Sequence, residues 1–394
     1  MSRAYRVAVV GFGMGGATTA ILLARDGHDV TLIERAPVVE PIGAGIMLQP
    51  SGQAILQHLG LLEDVIAHSA PLDHLLALHA YGRGQLVCNT YADYEPESRA
   101  YGVHRGVLFD ALKTAVLKLP IHLNLGVEIQ SREILGEQVQ LRDTLGNTHG
   151  PYDFVVCCDG SRSSLRKWMG QRQWAMKYPH GTLWAIVPGE HVKGKLLQVV
   201  RGCKQLCGVL PIGDGLTTLY WGLPERDLAA VQQRGIELLK EEILRFCPET
   251  APLLEHIIDF DQLLFTSYQH VWMARTYDQH TIFMGDSAHA MSPHLGQGIN
   301  LAMTDAYMLA GCLRETARPA DAFRLFDRRQ AAYIRYYSAV TLFLSPFFQS
   351  DWGILSWGRD RVLPWLPKIP IIKRQMLMTV AGLKGGFLKG RRIF

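Results

Sequence analysis

The chain has 394 residues, 48% apolar and 19% charged, and 40 Lys plus Arg against 36 Asp plus Glu leave a formal charge of +4. That is material for a large core in about two to three domains; it excludes a disordered chain, and so small a charge points to no nucleic-acid partner. The seven cysteines are odd in number, and Cys157/Cys158 and Cys203/Cys207 lack metal-finger spacing, so no structural metal or disulfide framework is expected and reduced thiols fit a cytosolic compartment.

Met1 leads straight into a strand pattern, with no charged-then-apolar leader. The run Arg6–Val10 is valine-rich and, after its opening arginine, continuously apolar, as a parallel strand buried on both faces should be. Gly11-Phe12-Gly13-Met14-Gly15-Gly16 follows, then a helical pattern over 17–25 and a second strand over 29–33 that delivers Glu34. Strand, Gly-rich turn, helix, strand and terminal acid together point to dinucleotide binding: the turn lets backbone approach a pyrophosphate, the helix N-terminus offers free N–H groups, and Glu34 can accept ribose hydroxyls. This block does not separate NAD from FAD.

Further along, an apolar strand at 155–156 runs into Cys157-Cys158-Asp159-Gly160, an Asp-Gly turn, and a helix start. Between 179 and 268 the pattern shifts to short alternating runs (182–187, 195–200, 208–211, 216–223) separated by Pro-Gly, Gly-Lys and Gly-Asp-Gly, which predicts an antiparallel sheet; the piece 76–94 reads as a hairpin extending it. One helical stretch over 225–246 is expected on the sheet's outer side. A strand over 282–284 then ends at Gly285-Asp286, with a helix opening near Gly298 and a strong helical pattern over 320–337. From Phe343 onward the prolines predict two or three short helices. The apolar stretch 339–348, broken by Ser345 and Pro346, falls short of the ~20 residues of a spanning helix.

The segment from Thr281 through Gly285-Asp286-Ser287-Ala288-His289 and Pro293-His294-Leu295-Gly296-Gln297-Gly298-Ile299-Asn300 to Ala306 resembles the GD motif of the class A flavoprotein monooxygenases, the p-hydroxybenzoate hydroxylase-like family. Asp159-Gly160 with Arg166 resembles that family's DG motif, His104-Arg105-Gly106-Val107-Leu108 its HRxxL helix, and Pro41 to Gly52 its loop under the isoalloxazine, with Ser51 where members often have Asn. The resemblance implies an α/β fold: a Rossmann-type FAD-binding domain over 1–75, 98–178 and 270–335, a β-sheet substrate domain over 76–97 and 179–269, and a C-terminal helical segment over 336–394. It implies that FAD is held by Gly11, Gly13, Met14, Gly16, Glu34, Arg35, Gly45, Arg105, Val127, Asp159, Asp286, Pro293, Gly296, Gly298, Ile299 and Asn300. Trp184, Leu210, Tyr220 and Trp221 are expected to line the substrate. No side chain stands out as a base; His180, His289 and Tyr220 are weak candidates, and Pro293 would lie beside the flavin.

The implied reaction is hydroxylation of an aromatic or quinone-like small molecule, with NAD(P)H as electron donor, O2 as co-substrate, a flavin C4a-hydroperoxide as oxidant and no metal. A flavin-dependent halogenase is disfavoured because no lysine precedes Lys113 and WxWxIP is absent. An isoprenoid or polyene reductase and a non-catalytic FAD-binding protein are the remaining rivals; a monomer or homodimer is expected. The segment from Phe348-Gln349-Ser350-Asp351 onward resembles the C-terminus of ubiquinone-biosynthesis hydroxylases, implying a hydrophobic ring substrate. From Arg359 to Phe394 the chain carries nine basic residues and one acid, a charge of +8 that leaves −4 on the rest. So basic a tail, bearing Trp and Leu, is compatible with peripheral contact to an anionic membrane surface.

Overall fold

The computed structural model describes residues 3–40, 43–80 and 84–387. Lys389, Arg391 and Arg392 of the basic tail, Pro41 and Ile42 of the flavin loop and the tip of the 76–94 hairpin lie outside the described residues. A five-stranded parallel sheet runs Thr281–Phe283, Phe154–Cys157, Arg6–Val10, Asp29–Glu34, Ile121–Leu125. Val7 and Val9 bury against Ala17, Ile21, Leu309 and Phe323, while Ala8 and Val10 bury against Val139, Leu141 and Tyr152 of a small antiparallel sheet on the other face. This two-sided burial explains why the first strand reads as a continuous apolar run. The chain leaves Arg6–Val10 for Asp29–Glu34 on one side and returns later as Phe154–Cys157 on the other, so the carboxyl end of the first strand is a topological switch point, where α/β sheets open a crevice for ligands.

A nine-stranded sheet stands over that crevice, ordered Leu264–Met273, Gln173–Pro188, Leu216–Pro224, Gln205–Gly213, Gly194–Arg201, Ser69–His79, Ala100–His104, Gly45–Leu48, with Gln85–Thr90 paired to Ser69–His79. It is mixed rather than wholly antiparallel, since Gly194–Arg201 runs parallel to Ser69–His79. It also overruns the expected domain limits. Gln173–Pro188 and Leu264–Met273 cross 178/179 and 269/270 as unbroken strands, and Ala100–His104 and Gly45–Leu48 join from the flavin side. Hydrogen-bonded ladders thus tie the two parts together where the resemblance implied a limit.

On the outer face Leu183, Ala185, Leu219 and Trp221 pack against Val231, Leu239, Ile243 and Phe246. The helical stretch expected there is interrupted: Leu228–Arg234 and Ile236–Phe246 meet at Gly235, whose φ of +88° is open to glycine but strained for other residues. The helix starting at Pro319 continues past the expected end at 337 to Phe348. Pro346 lies in its last turn, so it cuts only the ladder bond to the Leu342 carbonyl close to where the helix ends, and the Ser345 hydroxyl donates to the Thr341 carbonyl beside it. Gly353–Val362, a 3-10 turn at Leu363–Lys368 and Pro370–Val380 follow as short pieces. Among the described residues no helix is long and apolar enough to cross a membrane.

Candidate functional site

The crevice is built around two helix N-termini. Met14–Arg25 and Gly298–Glu315 both start without a side-chain cap and without an acid in the first turn, so their leading N–H groups stay open. They cross closely: a Cβ on Gly15 would lie 3.2 Å from that of Ala302. Gly11 (φ +105°) and Gly16 are fixed by chain-on-chain packing, since added Cβ atoms would sit 2.4 Å from the Cys158 carbonyl oxygen and 1.9 Å from that of Gly11. Gly13 is different, because a Cβ there would meet no heavy atom within 4 Å. Met14 opens the helix directly after it, three residues before the expected start.

At the neighbouring strand end, Glu34 Oε2 accepts from the Phe12 N–H at 2.7 Å and Oε1 from the Ala36 N–H at 2.9 Å, which leaves each oxygen a lone pair for a ribose hydroxyl. Val127 donates its N–H to the Glu34 carbonyl, and Arg35 is exposed within electrostatic reach of Asp159. Asp159 Oδ1 and Ser163 Oγ are buried without a partner, both at the rim of the crevice on the Asp-Gly turn. Desolvation pushes the Asp159 carboxyl up, offset in part by the charges of Arg166 and Arg35. Arg166 itself donates to the carbonyls of Ser287 (3.0 Å) and Ser161 (2.9 Å), strapping this turn to the Gly285-Asp286 loop.

Across the crevice Asp286 is raised by desolvation and lowered by His289 and Arg105, and a Cβ on Gly298 would stand 3.8 Å from its Oδ1. Arg105 opens its helix beside Gly43. Asn300, expected to serve through its backbone, also acts through its side chain. Oδ1 accepts from the Gln49 N–H, while Nδ2 donates to the carbonyls of Met47 (3.1 Å) and Gly296 (2.9 Å). It therefore clamps the end of the Gly45–Leu48 strand and Gln49 onto the turn holding Pro293 and Gly296, with Ile299 half-buried next to it. Gly45 has a packing role: its N–H donates to Thr218 Oγ1, and a Cβ would be 2.4 Å from Ile212. Ser51, the departure from the family's Asn, is explained by Gly382, whose added Cβ would touch its hydroxyl at 2.0 Å; the C-terminal segment occupies the space a larger side chain would need.

Two open N-termini, bare backbone at Gly13, an acid with spare lone pairs and unpartnered polar atoms on the Asp-Gly turn match what a diphosphate-linked dinucleotide with a polar ring demands, so the residues fit FAD. Gly13, Met14 and Gly298 would face its phosphates and ring edge, Glu34 its adenosine ribose.

The residues expected to line a substrate lie on the large sheet, and all but one of them on its inner face. Trp184 and Tyr220 lie with ring centres 5.0 Å apart and share a cluster with Leu210, Met47, Phe348 and Val380. Trp221 does not belong there. Adjacent strand residues point to opposite faces, so with Tyr220 inward, Trp221 is outward, edge-on to Phe246 at 5.1 Å. It lines an open cleft of about 570 Å³ on the far side of the sheet, away from the crevice. Tyr220 Oη accepts from Gln198 Nε2 at 2.6 Å, and burial pushes its pKa up, so it is a neutral phenol. His180 is 1% exposed, with neither ring nitrogen partnered.

Three residues escaped sequence reasoning. Asp305 takes the Gly285 N–H (3.0 Å) and His289 Nε2 (2.6 Å) on Oδ2, and Gln330 Nε2 (2.6 Å) on Oδ1. Its signal was present: seven residues after Gly298 is two helical turns, the same face. His289 is thereby held as a structural group rather than a base. His294 is the second residue missed, its Nδ1 within 2.8 Å of Ser292 Oγ and its Nε2 buried and unpartnered, near His180. The third is His270, enclosed between Tyr178 and Ser338.

Burial pushes His270 and His294 each down to about 4, from an ordinary value near 6.5. Between those limits the unfolded chain binds protons that the native state does not, so stability falls as pH drops from 6.5 to 4, by about 3 kcal/mol for each histidine. Urea midpoints should decline over that window, and His270→Asn should flatten the decline. A midpoint constant from pH 7 to 4.5 would contradict the burial of neutral histidines.

Fold and crevice are those of the class A FAD-dependent monooxygenases, aromatic hydroxylases that work through a bound flavin. The FAD binding domain family matches residues 4–328, and the chain belongs to that family. It is 27% identical to 6-hydroxynicotinate 3-monooxygenase of Pseudomonas fluorescens over 84% of this chain and 89% of that protein, and 26% identical to the aurachin C monooxygenase/isomerase of Stigmatella aurantiaca over 92% and 94%. Among solved structures it is similar to a single-site variant of Klebsiella pneumoniae HpxO complexed with FAD (TM-score 0.79, 18% identity, 95% of this chain and 99% of that one). It also resembles a single-site variant of 2-methyl-3-hydroxypyridine-5-carboxylic acid oxygenase (TM-score 0.77, 22% identity, 91% and 97%).

Proposed function

We propose that this monooxygenase uses NAD(P)H and O2 to hydroxylate a neutral, largely apolar aromatic ring of bicyclic or quinone-like size. Bound FAD supplies the activated oxygen; the chain supplies position, dryness and proton handling. The observation that carries the choice of substrate is the inner face of the large sheet. On four adjoining strands of that face the inward positions are His180, Thr182, Trp184 and Ile186; Leu196, Gln198 and Val200; Leu206, Gly208, Leu210 and Ile212; Thr218, Tyr220, Gly222 and Pro224. None is Lys, Arg, Asp or Glu, whereas the same alternation turns Lys195 and Arg201 outward, Arg201 against Phe246. A carboxylated ring would enter this face without a cationic partner, at a cost of several kcal/mol. Among relatives, a 2-heptyl-3-hydroxy-4(1H)-quinolone synthase of Pseudomonas aeruginosa (25% identity over 92% of this chain) is named for a neutral bicyclic ring, and 6-hydroxynicotinate 3-monooxygenase for a carboxylated one. The apolar face favours the former type.

Acceptors screened by stimulated NAD(P)H oxidation, with mass spectrometry of products, test this. Neutral 4-quinolones or naphthoquinols should show kcat/KM about 100-fold above 6-hydroxynicotinate or p-hydroxybenzoate. Preference for the carboxylated rings would overturn the substrate class.

A further inference from the structure

The layer formed by Gly353–Val362, the turn Leu363–Lys368 and Pro370–Val380 has two unlike sides. Inward, Leu363, Val380 and Leu383 close the substrate-side cluster together with Phe348. Outward, Trp352 (66% exposed), Ile354 (79%), Trp357 (61%), Trp365 (64%) and Ile371 (74%) are bare. Ile354, Trp357 and Arg361 follow at helical spacing, so they share one face of their helix. A monomer seldom leaves so many large apolar side chains exposed along some twenty residues without a use for them.

The layer is firmly seated, so the bare face is not a frayed end. Buried Arg359 donates to the carbonyls of Gly202 (2.9 Å) and Phe347 (2.7 Å), Lys373 pairs with Asp93 at 2.7 Å, and Tyr333 and Tyr337 donate to the carbonyls of Gly382 and Thr379. Its net charge is strongly positive. From residue 342 to the end the chain has nine basic residues and two acids. Both acids are engaged: Asp351 pairs with Arg226 and Lys204, Asp360 with Arg359 and His79. Exposed cations stand directly on the exposed indoles, Arg361 at 4.1 Å from the ring centre of Trp357 and Lys368 at 3.8 Å from that of Trp365.

We propose that the outer face of residues 352–374 docks on an anionic phospholipid surface. Indoles and isoleucines enter the headgroup boundary, where an apolar body with a polar edge is stable, and Arg361, Lys368 and Arg374 meet lipid phosphates. A second copy is a poor occupant, since pairing this face with itself would oppose cation to cation. Docking of this kind is peripheral and does not depend on which ring the enzyme oxidises.

The test is co-sedimentation of the purified holoenzyme with extruded vesicles of phosphatidylcholine, alone or mixed with phosphatidylglycerol. Binding is expected to the mixed vesicles and to weaken with salt. Trp357→Ser/Trp365→Ser should reduce the partition coefficient about tenfold or more on both compositions, and Arg361→Gln/Lys368→Gln should remove the preference for phosphatidylglycerol. The residues are exposed, so flavin content and melting temperature should be unchanged and serve as folding controls. No binding to either vesicle, or binding that survives the tryptophan pair, would overturn the proposal. So would a dimer in solution that the tryptophan pair dissociates, since the face would then belong to a second copy.

Discussion

Replacement of Gly13 by valine should leave a folded protein that no longer retains FAD. At Gly13 φ is −84° and ψ −175°, a conformation any residue adopts, and its added Cβ meets no heavy atom within 4 Å. The fold therefore has room for a side chain here and loses only the ~1 kcal/mol by which valine is the poorer N-cap. The new methyl groups instead fill the space beside the first N–H groups of the Met14–Arg25 helix, where a pyrophosphate must come close. Affinity for FAD should fall about 100-fold or more, roughly 3 kcal/mol, with unchanged circular dichroism and nearly unchanged apoprotein melting. Gly11→Ala and Gly16→Ala form the contrast, because their Cβ atoms collide with the carbonyls of Cys158 and Gly11, so the apoprotein itself should melt earlier. FAD titration of the three variants separates the effects, and undiminished binding by the Gly13 variant would remove the pyrophosphate from this turn.

Asp305→Ala should destabilise the apoprotein by about 3–5 kcal/mol, because it strips a buried ion pair of one partner. Asp305 is fully buried; its loss leaves His289 without the carboxylate at 2.6 Å and the Gly285 N–H without an acceptor. Burial opposes charge on His289, yet Asp305 and Asp286 outweigh it and hold its pKa above the ordinary value. A raised native pKa contributes stability that is complete below the unfolded value near 6.5 and is lost as pH rises through the native value. The deficit of the variant in urea unfolding should thus be largest below pH 6.5 and shrink at alkaline pH. Because Asp305 also fixes Gly285 (φ +57°), where the strand Thr281–Phe283 gives way to Asp286, the variant should lose FAD as well. Equal stability of wild type and variant at pH 6 would contradict the charged pair.

The flavin crevice was legible in the sequence because its demands are local. Gly11 and Gly16 answer to backbone collisions within a few residues or with one neighbouring strand, and Glu34 ends the strand that carries it. Trp221 was not legible as an outer residue, since alternation states that Tyr220 and Trp221 part company but not which of them meets the flavin side. That depends on where the Ile236–Phe246 helix packs. Gly235 could have continued a helix by pattern, and only its positive φ divides the stretch. Asp305 and His294 gain meaning from residues far away in the chain, Gly285 and Gln330 for one, His180 and the Ser345 hydroxyl, 3.5 Å from its Nδ1, for the other. The strands Gln173–Pro188 and Leu264–Met273 likewise run on across limits that the family resemblance implied.

The central claim, that the chain inserts one atom of dioxygen into an aromatic ring, is tested most directly by turnover under 18O2. With NAD(P)H and the best neutral acceptor of the screen, product mass should rise by one labelled oxygen, with one NAD(P)H consumed per product when coupling is complete. Product carrying oxygen from H218O instead, or a product reduced without any oxygen gained, would contradict it.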